Sequence, residues 1–388
     1  MVAVHIAVCT DGVFPEAVGG MQRHSRLLVE HLAGIPGLRI TVVHPHQEGI
    51  FASSPNVQEV VIPGIDPDRF YLRELRRYSA RTADALDGIR PDVILSQGFC
   101  LWKDIERFAD RTIVHPHGLE MFQGLTVRDR IIGAPFRAML RYVVRRSRAT
   151  VSLGGKLTPI LERCASGSRG EVVVIPNAVD VPEQPLPYPR HNAPVQLLFV
   201  GRFAFNKGLD LLIEVAGRLE RNGMGERVVF KLAGDGPLLG RLRERGTPGN
   251  VELIGRVDDD RLATLYQDCD ALVLPTRFEG MPTVVLEAMA RARPIIVSDV
   301  GATAELVDEQ NGHLIPPGDV DALHDAIVAF SARSVEERQV MGLHGHAKAL
   351  ARFSWPAVAG VFRDLFERIA DERKSSVAPV NGGPGTHG

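Results

Sequence analysis

Cysteine is scarce in this chain: four among 388 residues (Cys9, Cys100, Cys164, Cys269), scattered and never as a C-x-x-C pair. That pattern excludes a disulfide framework and a thiolate metal site, and it suits a reducing compartment. Net charge is nearly absent as well. The balance of 45 basic and 47 acidic side chains, a formal −2, provides no basic field of the kind nucleic-acid binders carry. Long apolar runs are missing, and no stretch reaches the ~20 residues needed to span a bilayer. No secretory leader is expected from Val2 to Cys9, which is short, strand-like and interrupted by His5 before Thr10-Asp11-Gly12. These absences predict a globular, cytoplasmic protein with no nucleic-acid partner.

What is present is alternation. Short β-branched runs (Val4 to Cys9, Ile40 to His44, Val57 to Ile62, Val93 to Ser96, Arg111 to His115, Ala149 to Leu153, Val172 to Ile175) alternate with helical patterns such as Gly20 to Leu32 and Asp68 to Leu86. A proline-rich stretch from Val181 to Pro189 then supports neither element and reads as a linker over 181–194. The alternation restarts with Gln196 to Val200, Val228 to Ala233, Val251 to Ile254, Ala271 to Leu274 and Ile295 to Ser298. Two series of β-α units predict two parallel-sheet domains, 1–180 and 195–353, with the active site in the cleft between facing carboxyl ends of strands. An amphipathic helix over 354–373 packs on the second domain or crosses back to the first. A disordered tail is expected over 374–388.

The most informative segment is Arg277-Phe278-Glu279-Gly280-Met281-Pro282-Thr283-Val284-Val285-Leu286-Glu287-Ala288-Met289. A helix starting near Thr283 would aim its free N–H groups at the preceding loop, a place for phosphate. Glu279 and Glu287, beside it, suit sugar hydroxyls as hydrogen-bond partners. Gly201-Arg202-Phe203-Ala204-Phe205-Asn206-Lys207-Gly208 places two cations in the loop after the second domain's first strand, able to grip a diphosphate. Gly19-Gly20 and Gly234-Asp235-Gly236-Pro237 mark turns where a ligand approaches backbone, without the spacing of a dinucleotide fingerprint. In His115-Pro116-His117-Gly118, a histidine at a strand's carboxyl end points toward the cleft and could polarise an acceptor hydroxyl. No third ligand at a recognisable spacing supports a metal there.

From Val127 to Arg148, seven arginines stand against one acid, Asp129, and interleave with aliphatic residues. Such a helix either buries its apolar stripe in the core or lies on an anionic membrane surface. Residues 1–190 hold 23 basic and 20 acidic side chains, a mild bias toward an anionic partner on the first domain.

Taken in order, Gly19-Gly20, His117-Gly118, Pro176-Asn177, Gly201-Arg202 with Lys207-Gly208, Gly234 to Pro237 and Glu279 to Glu287 make the chain resemble the family-4 retaining glycosyltransferases, from about Val4 to Ile369. The resemblance implies the GT-B fold, two Rossmann-like domains with the nucleotide-sugar donor held mainly by the C-terminal one and the acceptor on the N-terminal side. It implies that Arg202 and Lys207 bind the donor diphosphate and that Glu287 binds the ribose. Glu279 and the backbone of Gly280, Met281, Pro282 and Thr283 would hold the donor sugar and phosphates, with Gly234 nearby. Arg256 and Val257 would contact the base, Gly19 and Gly20 would line the diphosphate and acceptor side, and His117 would lie near the reacting sugar. The implied catalytic set is His117, Arg202, Lys207 and Glu279, with no metal and no cofactor. The acceptor would be a glycan, glycolipid or small molecule, an envelope glycan such as lipopolysaccharide core being favoured.

Two departures from the family pattern stand out. Arg291-Ala292-Arg293 replaces the usual glycine after the Ala-Met-Ala helix, and Ala178 follows Pro176-Asn177 where glycine is common. Rival readings are a glycoside hydrolase using Glu279 and Glu287, a nucleotide-sugar 2-epimerase of the same fold, and a non-catalytic nucleotide-sugar-binding protein.

Overall fold

A computed structural model describes residues 3–17, 19–124, 126–189 and 194–377. The first domain opens with β1 (Val4–Cys9), α1 (Gly20–Ala33), β2 (Leu38–His44), β3 (Val57–Val61), α2 (Tyr71–Ile89) and β4 (Val93–Gln97). It continues through β5 (Thr112–His115), α3 (Val127–Ile132), α4 (Ala134–Val144), β6 (Ala149–Ser152), α5 (Thr158–Ala165) and β7 (Glu171–Val174). The second domain starts with β8 (Val195–Val200), α6 (Leu209–Arg221), β9 (Val228–Ala233), α7 (Leu239–Arg245), β10 (Val251–Gly255), α8 (Asp259–Asp268) and β11 (Ala271–Leu274). After these come α9 (Thr283–Ala290), β12 (Ile295–Ser298), α10 (Thr303–Leu306), β13 (Gly312–Ile315), α11 (Val320–Ser331), α12 (Val335–Arg352) and α13 (Trp355–Val377).

Among the described residues every strand pairing is parallel, and the sheet orders are β3-β2-β1-β4-β5-β6-β7 and β10-β9-β8-β11-β12-β13. Strands such as β1, buried along its whole length, are apolar but for His5 because helices cover both faces. In each sheet the order reverses once, between β1 and β4 and between β8 and β11, and each reversal opens a crevice at the strands' carboxyl ends. Strand β13 was not expected from the sequence: Gly312-His313-Leu314-Ile315 is short and half polar, and its place at the sheet edge lets His313 and Leu314 stay partly exposed.

The last helix settles where the end of the chain belongs. Trp355, Val358, Phe362, Phe366 and Ile369 of α13 share a core with Ile6, Val8, Leu28 and Ile113 of the first domain, so the chain crosses back. The helix runs past residue 373 because Glu372 pairs with Arg148, and Arg373 Nε sits 2.8 Å from Asp110. From residue 378 the expected tail lies outside the described residues, as do 190–193 of the expected linker. The linker is anchored, because the buried Tyr188 hydroxyl donates to Asp270 O at 2.8 Å.

The Arg-rich segment is not one amphipathic helix. Gly133 divides it, since a Cβ there would lie 2.9 Å from Met121 O. On one side α4 buries Met139, Leu140, Val143 and Val144; on the other, α3 buries nothing.

Candidate functional site

The loop after β8 is clamped by backbone. A Cβ at Gly234, after β9, would fall 1.9 Å from Gly201 O, and one at Gly208 would fall 1.9 Å from Pro275 O. Both glycines hold positive φ (148° and 72°), so only glycine lets the loops after β8, β9 and β11 close on one another. The loop leaves Arg202 exposed and turns Lys207 inward, where Nζ makes a direct ion pair with Glu279 Oε1. The side chains are 22% and 14% exposed, which makes this a partly desolvated pair rather than a surface one. Two site residues 72 positions apart are thereby brought into contact.

Glu279 lies on the β11–α9 loop, which is held from three sides. Ala302 N donates to Gly280 O at 2.9 Å, Asn177 Nδ2 to Met281 O at 2.9 Å, and Gln123 Nε2 to Glu279 O at 3.3 Å. Gly301 backs the loop so closely that a Cβ would sit 2.3 Å from both Glu279 O and Gly280 O. Pro282 then caps α9, whose first N–H groups, starting at Thr283, have no acceptor within the helix. Glu287 stands one turn further. Tyr266 Oη lies 3.0 Å from its Oε2, and burial pushes its carboxyl above the ordinary range. Arg256 is exposed and Val257 half-buried just past β10.

From the first domain, Gly19 caps α1 and Gly20 opens it with free space where a Cβ would stand. His117 adopts φ +61°, rare outside glycine, and its carbonyl would be 3.0 Å from a Cβ on Gly280. The two domains therefore meet backbone to backbone at His117 and Gly280. Arg23 reaches Asp259 across the same cleft at 3.0 Å, an exposed contact worth little on its own. Sequence reading missed this pair because nothing local links residues on separate domains.

His115 corrects an expectation: it does not face the cleft. It is fully buried below His117, with ring centroids 3.9 Å apart and neither ring nitrogen hydrogen-bonded. As the last residue of β5 its side chain takes the sheet face covered by α13, 6.2 Å from Phe362. His24 completes a cluster of rings, stacked 5.1 Å from His115, edge-on 4.9 Å from His117 and tilted 5.4 Å from Trp355. Burial lowers His24 to about 4 and holds His115 and His117 well below the usual imidazole range. His117 is therefore a neutral hydrogen-bonding group, with Nε2 against Gln97 Oε1. His24 and Gln97 had no sequence signal, since their neighbours come from β5 and α13. Among the described residues no group of three or more His, Cys, Asp or Glu side chains has the arrangement of a metal site.

The departure at Arg291-Ala292-Arg293 has a structural account. Ala292 takes the left-handed conformation (φ +54°) that the usual glycine would adopt freely. Arg293, 1% exposed, spans carbonyls at Tyr266 (2.7 Å), Pro187 (2.8 Å) and Gln267 (3.0 Å), tying α8 to the linker. Ala178 is buried against α13, which gives its methyl group a packing role.

Comparison with known proteins agrees with this architecture. The model for Glycosyltransferase Family 4 matches residues 18–183, and that for Glycosyl transferases group 1 matches 194–332. Phosphatidyl-myo-inositol mannosyltransferase of Mycobacterium leprae is 31% identical over 209 residues, 52% of this chain and 54% of that protein. The chain spans about half the length of the curated relatives it matches. Among solved structures, sucrose-phosphate synthase from Thermosynechococcus elongatus superposes with a TM-score of 0.78 at 19% identity, covering 95% of this chain and 100% of that one. Anabaena HepE in complex with UDP-glucose gives a TM-score of 0.66 at 17% identity, covering 96% and 99%. With two facing parallel-sheet domains of the GT-B type and family matches on both, the chain belongs to the group 1, family-4 glycosyltransferases.

Proposed function

We propose that the protein transfers a sugar from a nucleoside-diphosphate sugar to an acceptor hydroxyl, with retention at the anomeric carbon. The observation that carries this reading is the Lys207–Glu279 pair at the loop that leads into the α9 N-terminus, with His117 against Gly280 of the same loop. The diphosphate lies against Arg202, Lys207 and the free amides of α9, where developing negative charge meets fixed positive ends. Glu279 accepts hydrogen bonds from the donor sugar and Glu287 from the ribose. Arg256 and Val257 flank the base, and Gly19, Gly20 and Gly234 allow close approach of backbone. The bond from the anomeric carbon to the diphosphate breaks, the acceptor oxygen bonds on the same face, and the acceptor proton passes to the departing phosphate oxygen. Neutral His117 orients a hydroxyl and carries no charge through the step. Two cations and a helix end neutralise the leaving group, so the reading calls for no metal.

An acceptor in cell-envelope glycan or glycolipid synthesis is supported by the relative from Mycobacterium leprae, named for transfer to phosphatidyl-myo-inositol. The solved complex of HepE with UDP-glucose supports a nucleotide-sugar donor. Four free, buried cysteines support a reducing, cytoplasmic setting. A thermal-shift screen across nucleoside diphosphates and their sugars tests the reading: one base should give saturable stabilisation, and NMR of the product should show the donor's anomeric configuration. No response to any base, or an inverted product, would overturn it.

A further inference from the structure

Helix α3 has no place in the cleft chemistry and none in the core. A capping box specifies it, with Asp129 N donating to Thr126 Oγ1 at 3.1 Å and Thr126 N to Asp129 Oδ2 at 3.0 Å, so it is a formed helix rather than a frayed end. None of its residues is buried, and its aliphatic side chains are as open as charged ones: Val127 72%, Ile131 69% and Ile132 56% exposed. The apolar surface continues beyond it. Phe136, one turn after Ile132, lies 6.1 Å from Tyr71, which is 49% exposed, and Phe70 beside it is 73% exposed. Left in water, such a ridge marks a contact surface.

Its charges say what it contacts. Arg128 and Arg130 stand exposed among the aliphatic residues. Arg130 also forms the wall of an open cavity of about 570 Å³ between the domains, whose other cations are Arg137, Lys156 and Arg277 against the single carboxylate of Asp299. Lys156 is paired with Asp299 at 2.9 Å, and Arg277 with Asp210 at 2.6 Å. Arg137 is held by the neutral carbonyls of Met121 and Arg130, each at 2.7 Å, bonds that leave its charge uncompensated. An aliphatic ridge threaded with arginines, opening onto a cationic pocket, matches one surface in particular: phosphates above acyl chains.

We propose that α3 docks the protein on an anionic phospholipid surface. Val127, Ile131 and Ile132 enter the boundary between headgroups and chains, Arg128 and Arg130 pair with lipid phosphates, and the cavity behind Arg130 receives a headgroup. Co-sedimentation of the full chain with vesicles of phosphatidylcholine alone and of phosphatidylcholine mixed with phosphatidylglycerol tests this. Binding is expected to the mixed vesicles only and to weaken with salt. Replacing both Arg128→Ala and Arg130→Ala should weaken it roughly 25-fold, about fivefold for each cation near the surface, and Ile131→Glu should abolish it. All three side chains are exposed, and unchanged near-ultraviolet circular dichroism would verify that the variants fold. No binding to the mixed vesicles, binding untouched by the substitutions, or full displacement by inorganic phosphate would overturn the proposal. The last result would assign the cavity to free phosphate. The surface is independent of the donor reading: vesicle binding without any response to nucleoside diphosphates would refute only the latter.

Discussion

Acid should loosen the first domain, and buried His24, beside His115 and His117 whose burial acts in the same sense, contributes a share that can be isolated. His24 titrates near 6.5 when unfolded and near 4 in the folded protein, because burial penalises its charged form. A base whose folded pKa is depressed stabilises the fold fully above the unfolded value and loses that contribution as pH falls from about 6.5 to about 4. Near pH 5 the unfolded ring is mostly charged and the folded ring mostly neutral, which amounts to ~2 kcal/mol from this residue alone. Neither His24 nitrogen has a hydrogen-bond partner, so His24→Leu removes the titration without stranding a donor or acceptor. The assay is urea unfolding near pH 7 and near pH 5, followed by the two tryptophans, Trp102 and Trp355, which report on the first domain and α13. Burial also pushes the Asp11 carboxyl up, an effect of opposite sense, but it cancels in the difference between wild type and variant. The variant should lose ~2 kcal/mol less stability on acidification than wild type. Equal losses in the two proteins would refute the argument.

Further outcomes follow from the same contacts. Lys207→Ala should lower kcat by roughly 10²–10³-fold in steady-state transfer assays, the usual effect of removing one charge-stabilising donor. Gly301→Ala should cripple donor binding while circular dichroism stays native, because its Cβ would press on Glu279 O and Gly280 O at 2.3 Å and shift the loop between the domains. Ala292→Gly should raise stability by about 0.5–1 kcal/mol in urea melts by relieving a left-handed alanine. Phe362→Ala, fully buried, should cost about 3–5 kcal/mol and release α13 from the first sheet, seen as a red shift of Trp355 emission.

How much of this was legible in sequence depends on where each signal resides. Strands β1, β9, β11 and β12 read cleanly because sheets covered on both faces demand predominantly apolar runs, broken here only by His5, Lys231 and Ser298. The start of α9 at Thr283 was equally plain from Gly280 and Pro282. Edge strand β13 was invisible because an edge tolerates polar residues. The Arg-rich segment misled because periodicity passes smoothly through Gly133; the break comes from Met121, which only the fold places beside it. At the site, the glycines, cations and glutamates carried their own chemistry. The Lys207–Glu279 contact, the Arg23–Asp259 bridge and the histidine cluster beneath His117 are products of tertiary placement, and no local pattern encodes them.

The most direct test is a calorimetric titration of wild type and Lys207→Ala with the nucleoside diphosphate found in the thermal-shift screen. Saturable one-to-one binding to wild type is expected, with at least tenfold weaker binding to the variant, the effect of losing a charge-assisted contact to phosphate. Equal affinity for both proteins would mean that the diphosphate does not lie against Lys207, and the proposed donor site would be wrong.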